Sequence, residues 1–268
     1  MQRPSSVGDL WRHRDLLWQF TMRSIEVRHK GSYLGLIWSV LNPLLMLGLY
    51  VLMFGYVLGG NFGVLPNETR GDFALGTFIG LAIFQLLAEV IGISPTTIVM
   101  QPNFVKKVVF PLEVLPVANV GASVFHFLIS LALVVFGVAL LGPGLTWSAL
   151  WLPVIVLPLV LLSMGLAWLI SSLGVFFRDI GQATQFLTQL LMFLSAVFYP
   201  PSKLPPAAWK YLRFNPVLLG VEQARSTLLW HQPLNQNHLA FLYLSGVAVF
   251  ALGHAVFVRL KPAFADVL

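Results

Sequence analysis

The chain contains no cysteine, and only 10% of its 268 residues are charged. The lack of cysteine excludes disulfide frameworks, zinc ribbons, thiolate iron–sulfur ligation and cysteine nucleophiles. The shortage of charge excludes a purely soluble globule, because such a surface needs about 25% charged residues. Apolar residues, in contrast, make up 57% of the chain, and the mean hydropathy is +0.83. The composition therefore predicts an integral membrane protein.

Motifs of catalysis are also missing. The sequence has no Gly-x-Ser-x-Gly elbow, no His-Glu-x-x-His and no Gly-x-x-x-x-Gly-Lys-Ser/Thr phosphate loop. The ionisable residues in the apolar stretches are Glu89, His126 and His254, which look too scattered for a proton relay. We therefore predict that the chain is not an enzyme by itself and binds no cofactor or metal. Packed helix positions are the simplest interpretation of the three residues, and transport coupling is the alternative.

Six apolar stretches are long enough to cross about 30 Å of hydrocarbon, which takes roughly 20 helical residues each. They cover residues 36–58, 73–93, 117–141, 152–174, 182–199 and 239–258. The sequence thus predicts an all-α integral membrane protein with six transmembrane helices. Residues 1–35 form an N-terminal cytoplasmic segment, 36–259 the membrane domain and 260–268 a short cytoplasmic tail.

The basic residues predict the orientation. With the N-terminus inside, eleven fall on the cytoplasmic side: Arg3, Arg12, Arg14, Arg23, Arg28, Lys30, Lys106, Lys107, Arg178, Arg259 and Lys261. Five fall outside: Arg70, Lys203, Lys210, Arg213 and Arg225. The positive-inside rule then places both termini in the cytoplasm. This asymmetry accounts for the net charge of +6 without a nucleic-acid partner.

The N-terminal segment has a helical stripe. Projected at 100° per residue, one arc holds the apolar side chains Leu10, Trp11, Leu17, Trp18, Met22 and Ile25. Arg12, Arg23 and Lys30 lie opposite, which is typical of a helix in the headgroup plane, whereas Arg14 and Arg28 fall within the apolar arc and would have to snorkel. A generic membrane anchor and a specific docking helix both remain open.

Three motifs carry a family resemblance. Residues 28–43 read RHKGSYLGLIWSVLNP, residues 103–116 read NFVKKVVFPLEVLP, and residues 176–180 read FFRDI. In this order, and at these places between the spans, they resemble the type-2 ABC transporter permeases that export polysaccharides, such as O-antigen and teichoic-acid exporters. The resemblance covers nearly the whole chain. His29 departs from it, because relatives often carry an aromatic residue there.

The resemblance implies a coupling helix between the second and third spans that docks on a separate ATPase subunit. Its residues here would be Asn103, Phe104, Val105, Lys106, Lys107 and Phe110. So many apolar side chains have little reason to face water in a soluble loop, although a helix lying on the membrane surface is the alternative. In the turn before the fifth span, Arg178 and Asp179 either pair or cap the next helix, or contact the ATPase.

The fifth span carries amides and aromatic rings on one face. Gln182, Gln185, Phe186, Gln189 and Phe193 follow helical spacing. Amides in hydrocarbon need partners, and amides beside rings suit sugars in a hydrated translocation pathway. A helix–helix or dimer seam would use the same amides, so both interpretations stay open.

Prolines divide the stretch between the fifth and sixth spans into two short helices, 207–214 and 217–229. Such helices are too short to span and predict a re-entrant or interfacial hairpin. The resemblance makes this hairpin the external gate region. Its candidate residues are Tyr199, Pro200, Trp209, Asn215, Pro216, Glu222 and Arg225, of which the last two could pair on the surface.

Together these features predict the permease subunit of an ATP-driven exporter of a lipid-linked polysaccharide, multi-pass in the plasma or bacterial inner membrane. The resemblance implies a homodimer with two ATPase subunits, which would bind ATP and Mg. Export of a drug or simple lipid, and a secondary carrier without an ATPase, are the alternatives. Whether the polymer is O-antigen, capsule or teichoic acid stays open.

Overall fold

The computed structural model describes residues 11–106 and 110–268, and every regular element in these ranges is helical. We number the helices α1 Arg14–His29, α2 Trp38–Tyr50, α3 Arg70–Ile93, α4 Pro102–Lys106, α5 Val114–Leu141, α6 Leu152–Phe176, α7 Ile180–Leu194, α8 Pro206–Leu212, α9 Pro216–Leu228, α10 Gln236–Leu260 and α11 Phe264–Val267. A 3-10 turn, Gly35–Ile37, precedes α2, and a π-helical stretch, Val51–Val57, continues it. The all-helical prediction is confirmed.

Five helical stretches of the described residues are long and apolar enough to cross a membrane. They are Gly35–Val57, Arg70–Thr96, Val114–Leu141, Trp147–Phe176 and Gln236–Val267. Each coincides with a span predicted from the sequence to within a few residues, apart from the longer C-terminal extension of the last. The stretch predicted at 182–199 differs: α7 ends at Leu194 after 15 residues, a length of only about 22 Å. The sequence window counted apolar residues beyond 194, which are buried but not helical.

The core lies between α3, α5, α6 and α9. α3 is the central helix, and most of its residues are buried. Its start is fixed by a capping box, in which the Thr69 hydroxyl accepts from the Asp72 amide while the Asp72 carboxylate accepts from the Thr69 amide. The α2 stretch is peripheral, with only 6% of its apolar window buried.

The helices α6 and α10 pack unusually close together because glycines line their seam. A Cβ on Gly253 would lie 2.0 Å from the carbonyl oxygen of Gly165, and one on Gly246 would lie 2.5 Å from that of Pro158. Such close backbone approach through small residues is a common packing mode of membrane helices.

The N-terminal helix α1 lies against α5 and is not only an interface anchor. Thr21 and Ile25 are buried, and Ser24 donates to the Asn119 side chain at 3.1 Å. Trp11 and Trp18, in contrast, are 75% and 64% exposed. The predicted apolar stripe is therefore divided, because a packing face against α5 takes part of it; Leu10 lies outside the described residues. We call the end of the molecule at which α1, Arg14–His29, lies the α1 end.

Candidate functional site

The predicted coupling helix is α4, at the α1 end. Phe104 and Phe110 pack against Phe20 of α1, with ring centroids 5.6 and 5.3 Å apart. Val105 is also half-buried in this cluster, whereas Asn103 and Lys106 are exposed. Lys107 lies outside the described residues. The aromatic residues expected to face an ATPase therefore pack partly against α1, and the accessible surface of α4 is formed by polar groups.

The chain that follows α4 is also held from the C-terminal side. Lys261, just after α10, donates to both carboxylate oxygens of Glu113 at 2.8 and 3.0 Å. The indole of Trp168 in α6 donates to the Glu113 carbonyl oxygen at 3.2 Å, and Phe264 of α11 is buried in the same cluster. The segment that contains the predicted coupling helix is therefore held between α1 and the C-terminal elements.

The turn between α6 and α7 leaves both of its charged residues exposed. Within the described residues, Asp179 makes no side-chain cap on α7 and no ion pair with Arg178. Its backbone carbonyl oxygen instead accepts from the amides of Gln182 and Ala183, both at 3.1 Å. The expectation that Asp179 caps or pairs is therefore wrong, because α7 starts on a tight backbone turn.

The predicted amide and aromatic face of α7 is exposed along its whole length. Gln182, Gln185 and Gln189 are exposed, as are Phe186 at 65% and Phe193 at 51%. The helix packs through Thr184 and Leu191 instead. Within this one chain, the three glutamines do not form the helix–helix seam that was an alternative for them.

Two short helices, α8 and α9, occupy the predicted hairpin. The side chain of Asn215 joins the hairpin to α7. Its Oδ1 accepts from the backbone amide of Val217 at 3.0 Å, and its Nδ2 donates to the backbone carbonyl oxygen of Leu194 at 3.0 Å. Pro216 opens α9, as expected of a residue that lacks an amide hydrogen. The residues preceding the hairpin are also hydrogen-bonded to α7, because the Tyr199 hydroxyl donates to the Phe193 carbonyl oxygen.

The helix α9 is buried among α3 and α6, so it does not lie flat at an interface. Pro200 is buried too, and Trp209 of α8 packs partly against the core. The sequence predicts a hairpin that is either re-entrant or interfacial. The packing favours the first arrangement, because the segment is inserted between the long helices.

The predicted ion pair of Glu222 and Arg225 is present, but Arg225 is fully buried, so the expectation that the pair lies on the surface is wrong. It donates to the carbonyl oxygens of Gly76 at 2.8 Å, Ala196 at 2.7 Å and Val197, and its guanidinium lies 4.2 Å from the ring centroid of Phe62. Burial lowers the pKa of Arg225 to about 10.

The carboxylate of Glu222 lies 3.9 Å from the same guanidinium, too far for a hydrogen bond. One of its oxygens is buried and has no hydrogen-bond partner in the described residues. Burial raises the pKa of Glu222, and the charge of Arg225 opposes that rise.

Glu89 and His126, expected to be scattered, lie together with Arg28 of α1. The carboxylate of Glu89 accepts hydrogen bonds from Arg28 and, at 2.9 Å, from the Ser123 hydroxyl. It is also hydrogen-bonded to Nδ1 of His126, at 3.0 Å. His254 is separate and packs edge-on against Trp168. Chain order alone hides the cluster, because Arg28 comes from outside the spans. Among residues 11–106 and 110–268, no group of three His, Cys, Asp or Glu side chains could hold a metal.

A cavity of about 660 Å³ adjoins this cluster. Its wall includes Trp38, Asn42 and Tyr50 of α2 and Gln85 of α3. Asn42 and Gln85 are not among the site residues predicted from the sequence. The signal that could have identified them is that each polar side chain interrupts an apolar stretch.

Comparisons with known proteins agree with this architecture. The family described as ABC-2 type transporter matches residues 15–229. Two curated relatives from Klebsiella pneumoniae, both called O-antigen export system permease protein RfbA, are 29% identical over 256 residues, which is 95% of this chain and 95% of each relative. A relative of the same name from Myxococcus xanthus is 28% identical over 263 residues, or 97% of this chain and 98% of its own length.

The family match covers most of the chain and includes four of the five candidate spans of the described residues, whereas the last, Gln236–Val267, follows it. The helical fold, the membrane-spanning stretches and the resemblance recognised in the motifs therefore point the same way. The chain belongs to the ABC-2 type transporter family of membrane permeases.

Proposed function

We propose that this chain is the membrane subunit of an ATP-driven exporter that moves a lipid-linked, O-antigen-like polysaccharide across the membrane. The observation that carries the proposal is the exposed face of Gln182, Gln185, Phe186, Gln189 and Phe193 on α7. Amides exposed at membrane depth need hydrogen-bonding partners, and sugar hydroxyls both donate and accept. The relatives' printed names give the substrate class.

In this proposal the α1 end is cytoplasmic, because it carries most of the basic residues. Both termini then lie in the cytoplasm of a bacterium, and the polysaccharide leaves through the opposite face. The α8–α9 hairpin stands at that external mouth and acts as its gate.

The fifth of six crossings is α7 together with the buried residues 195–200. Non-helical backbone is tolerated at membrane depth only where protein encloses it and satisfies its polar groups. Ser195, Ala196 and Val197 are fully buried, and Arg225 binds the carbonyl oxygens of the last two. This arrangement supports a crossing completed by an irregular segment, since α7 alone is too short.

The energy comes from two separate ATPase subunits, which bind ATP and Mg and dock at the coupling helix of two permease copies. Lys106 and Asn103 are the exposed groups of α4, and Arg178 and Asp179 are exposed at the turn before α7. A rim of such polar groups would orient the ATPase and accelerate its binding.

The test is export in cells that lack the chromosomal permease but make the polysaccharide. The chain is supplied with its ATPase or with an ATPase variant that binds but cannot hydrolyse ATP. We expect polysaccharide at the cell surface only with the active ATPase, and a purified complex containing two copies of each subunit. Export of a drug or simple lipid, with the polysaccharide retained inside, would contradict the proposed substrate.

A secondary carrier is the second candidate, and the cluster of Arg28, Glu89 and His126 is the observation that favours it. Buried ionisable groups in membranes often serve proton relays. Such a carrier would move substrate in proteoliposomes on a proton gradient, without an ATPase. The proposed exporter would stay inactive under those conditions.

A further inference from the structure

The cavity beside α1 is distinct from the α7 face assigned to the translocation pathway. It holds about 660 Å³ between α2, α3 and α5, within the range of small-molecule sites. Arg28 and Glu89 lie in its wall, and of the α7 residues only Met192 borders it. The cavity is therefore a candidate site separate from the α7 face.

Several polar groups in this wall lack partners. The side-chain amides of Asn42 and Gln85, both exposed, make no hydrogen bond within the part of the chain that the structure describes. His126 Nε2 is buried and likewise has none there. Unpaired polar groups at membrane depth are costly unless water or a ligand satisfies them. These three groups supply both donors and acceptors.

The charges of the wall do not favour an anion. The carboxylate of Glu89 neutralises Arg28 through their ion pair. Burial, followed by the neighbouring His126 and Arg28, lowers the pKa of His29, which disfavours the charged form of this ring. A phosphate or pyrophosphate would find no uncompensated cation here.

Aromatic surface completes the wall. Trp38 and Tyr50 are each half-buried, so part of both rings faces open space. Flat aromatic surface beside amide groups complements a ligand that has both apolar C–H faces and hydroxyls. Neutral sugar rings have both features, whereas an acyl or isoprenoid chain would leave the amides unpaired.

We propose that this cavity binds neutral sugar residues of the exported glycan at the end of the membrane where the glycan enters. The proposal rests on the proposed function and adds a recognition site to it. Asn42 and Gln85 hydrogen-bond the sugar hydroxyls, and Trp38 stacks on a sugar face. The Arg28–Glu89–His126 cluster forms the polar wall and leaves His126 Nε2 for the ligand.

Photocrosslinking tests the site in living cells. The photoreactive residue p-benzoylphenylalanine replaces Asn42 or Gln85 in cells that make the polysaccharide and contain the ATPase. Leu128, an exposed residue of α5 outside the cavity wall, is the matched control, and Phe186 reports the α7 pathway. After irradiation, the purified permease is stained for glycan. We expect glycan adducts at 42 and 85, none at 128, and none in cells lacking the first glycosyltransferase.

Cysteine protection gives a second measurement that does not depend on a bulky replacement. Asn42→Cys and Gln85→Cys are treated with a small water-soluble maleimide in the purified complex, with and without the oligosaccharide released from the polysaccharide by mild acid. Thr96→Cys is the control, because Thr96 is exposed in the 3-10 turn that follows α3 and lies outside the cavity wall. We expect the oligosaccharide to slow labelling about tenfold at 42 and 85 and to leave 96 unchanged.

The outcomes separate this site from the proposed function. Glycan adducts at Phe186 alone, with unprotected cysteines at 42 and 85, would overturn the cavity site and leave polysaccharide export intact. Adducts at 42 and 85 that contain lipid or phosphate but no sugar would also overturn it. No glycan adduct at any position, together with no export, would remove both proposals.

Discussion

Phe20 of α1 packs edge-on against Phe104 of α4, with ring centroids 5.6 Å apart and planes at 72°. Eight residues further along α1, Arg28 reaches Glu89 in α3 and His126 in α5. One helix therefore contacts both the coupling segment and the wall of the membrane cavity. In the proposed exporter, a displacement of α4 by the ATPase would pass through α1 to the cavity.

Replacing Phe20 with alanine should uncouple these two regions. The change removes aromatic pairs with Phe104 and Phe110, each worth about 0.5–1.5 kcal/mol beyond the buried area. We expect ATPase binding to persist while ATP hydrolysis no longer drives export. Phe20→Leu, which keeps most of the apolar volume, is the control. Loss of ATPase binding together with export would place Phe20 in the docking surface itself.

Reversing the charge of Lys106 should weaken docking without affecting the fold, because this side chain is exposed. We expect Lys106→Glu to slow association with the ATPase by about tenfold, and to make the rate less dependent on salt. Surface plasmon resonance at several salt concentrations measures both effects. Lys210→Glu, exposed on α8 at the opposite end, should behave like the wild type. Equal effects of both reversals would mean that net charge, and not the coupling helix, sets the rate.

Cysteine labelling should reveal whether the α7 face is hydrated. The chain has no native cysteine, so single cysteines at Gln182, Gln185 and Gln189 can be tested with water-soluble thiol reagents. We expect fast reaction there, slow reaction at the buried Thr184, and slow reaction at Leu187, which is 53% exposed but lies off this face. The sequence predicts that Leu187 faces lipid or protein. Because its side chain is exposed in the structure, slow labelling at this position would indicate that the exposed surface there faces lipid and not water. Equal labelling at all five positions would contradict a one-sided water-filled path.

Glu222→Gln should stabilise the protein in a pH-dependent manner. Burial raises the folded-state pKa of Glu222 above 4.5, so its contribution to stability is fully present below pH 4.5 and is lost as the pH rises through the folded pKa. Glutamine avoids the buried charge, so we expect a higher thermal midpoint than wild type at about pH 8 and no difference near about pH 4. Glu26→Gln, on the exposed side of α1, is the control. A lower midpoint at the higher pH would show that Glu222 stabilises Arg225 more than its burial costs.

Gly253→Ala should force α6 and α10 apart, because the new Cβ would lie 2.0 Å from the Gly165 carbonyl oxygen. We expect a loss of about 1–3 kcal/mol in stability, measured as a lower thermal midpoint in detergent. Gly92→Ala is the matched control, since nothing lies within 4 Å of its Cβ position. An unchanged midpoint for Gly253→Ala would mean that the seam can open without cost.

Much of the fold could be predicted from the sequence because lipid imposes a simple rule. Backbone groups in hydrocarbon must be bonded within their own segment, so a long apolar stretch becomes a helix. Five stretches obey this rule closely. The stretch at 182–199 departs from it because protein, and not lipid, surrounds its second half: Ala196 and Val197 are fully buried, and Arg225 satisfies their carbonyl oxygens.

The sequence by itself determined the membrane class, the positions of the long helices and the family resemblance, since these depend on composition and local order. Only the tertiary structure decided the partners of the charged residues. Arg225, counted as a basic residue of an external loop, is enclosed by backbone carbonyl oxygens from α3 and the segment after α7. Arg28 and Glu89, 61 positions apart, meet because α1 folds back along α5. Hydropathy and periodicity describe one segment at a time, whereas burial and ion pairing depend on which segments meet.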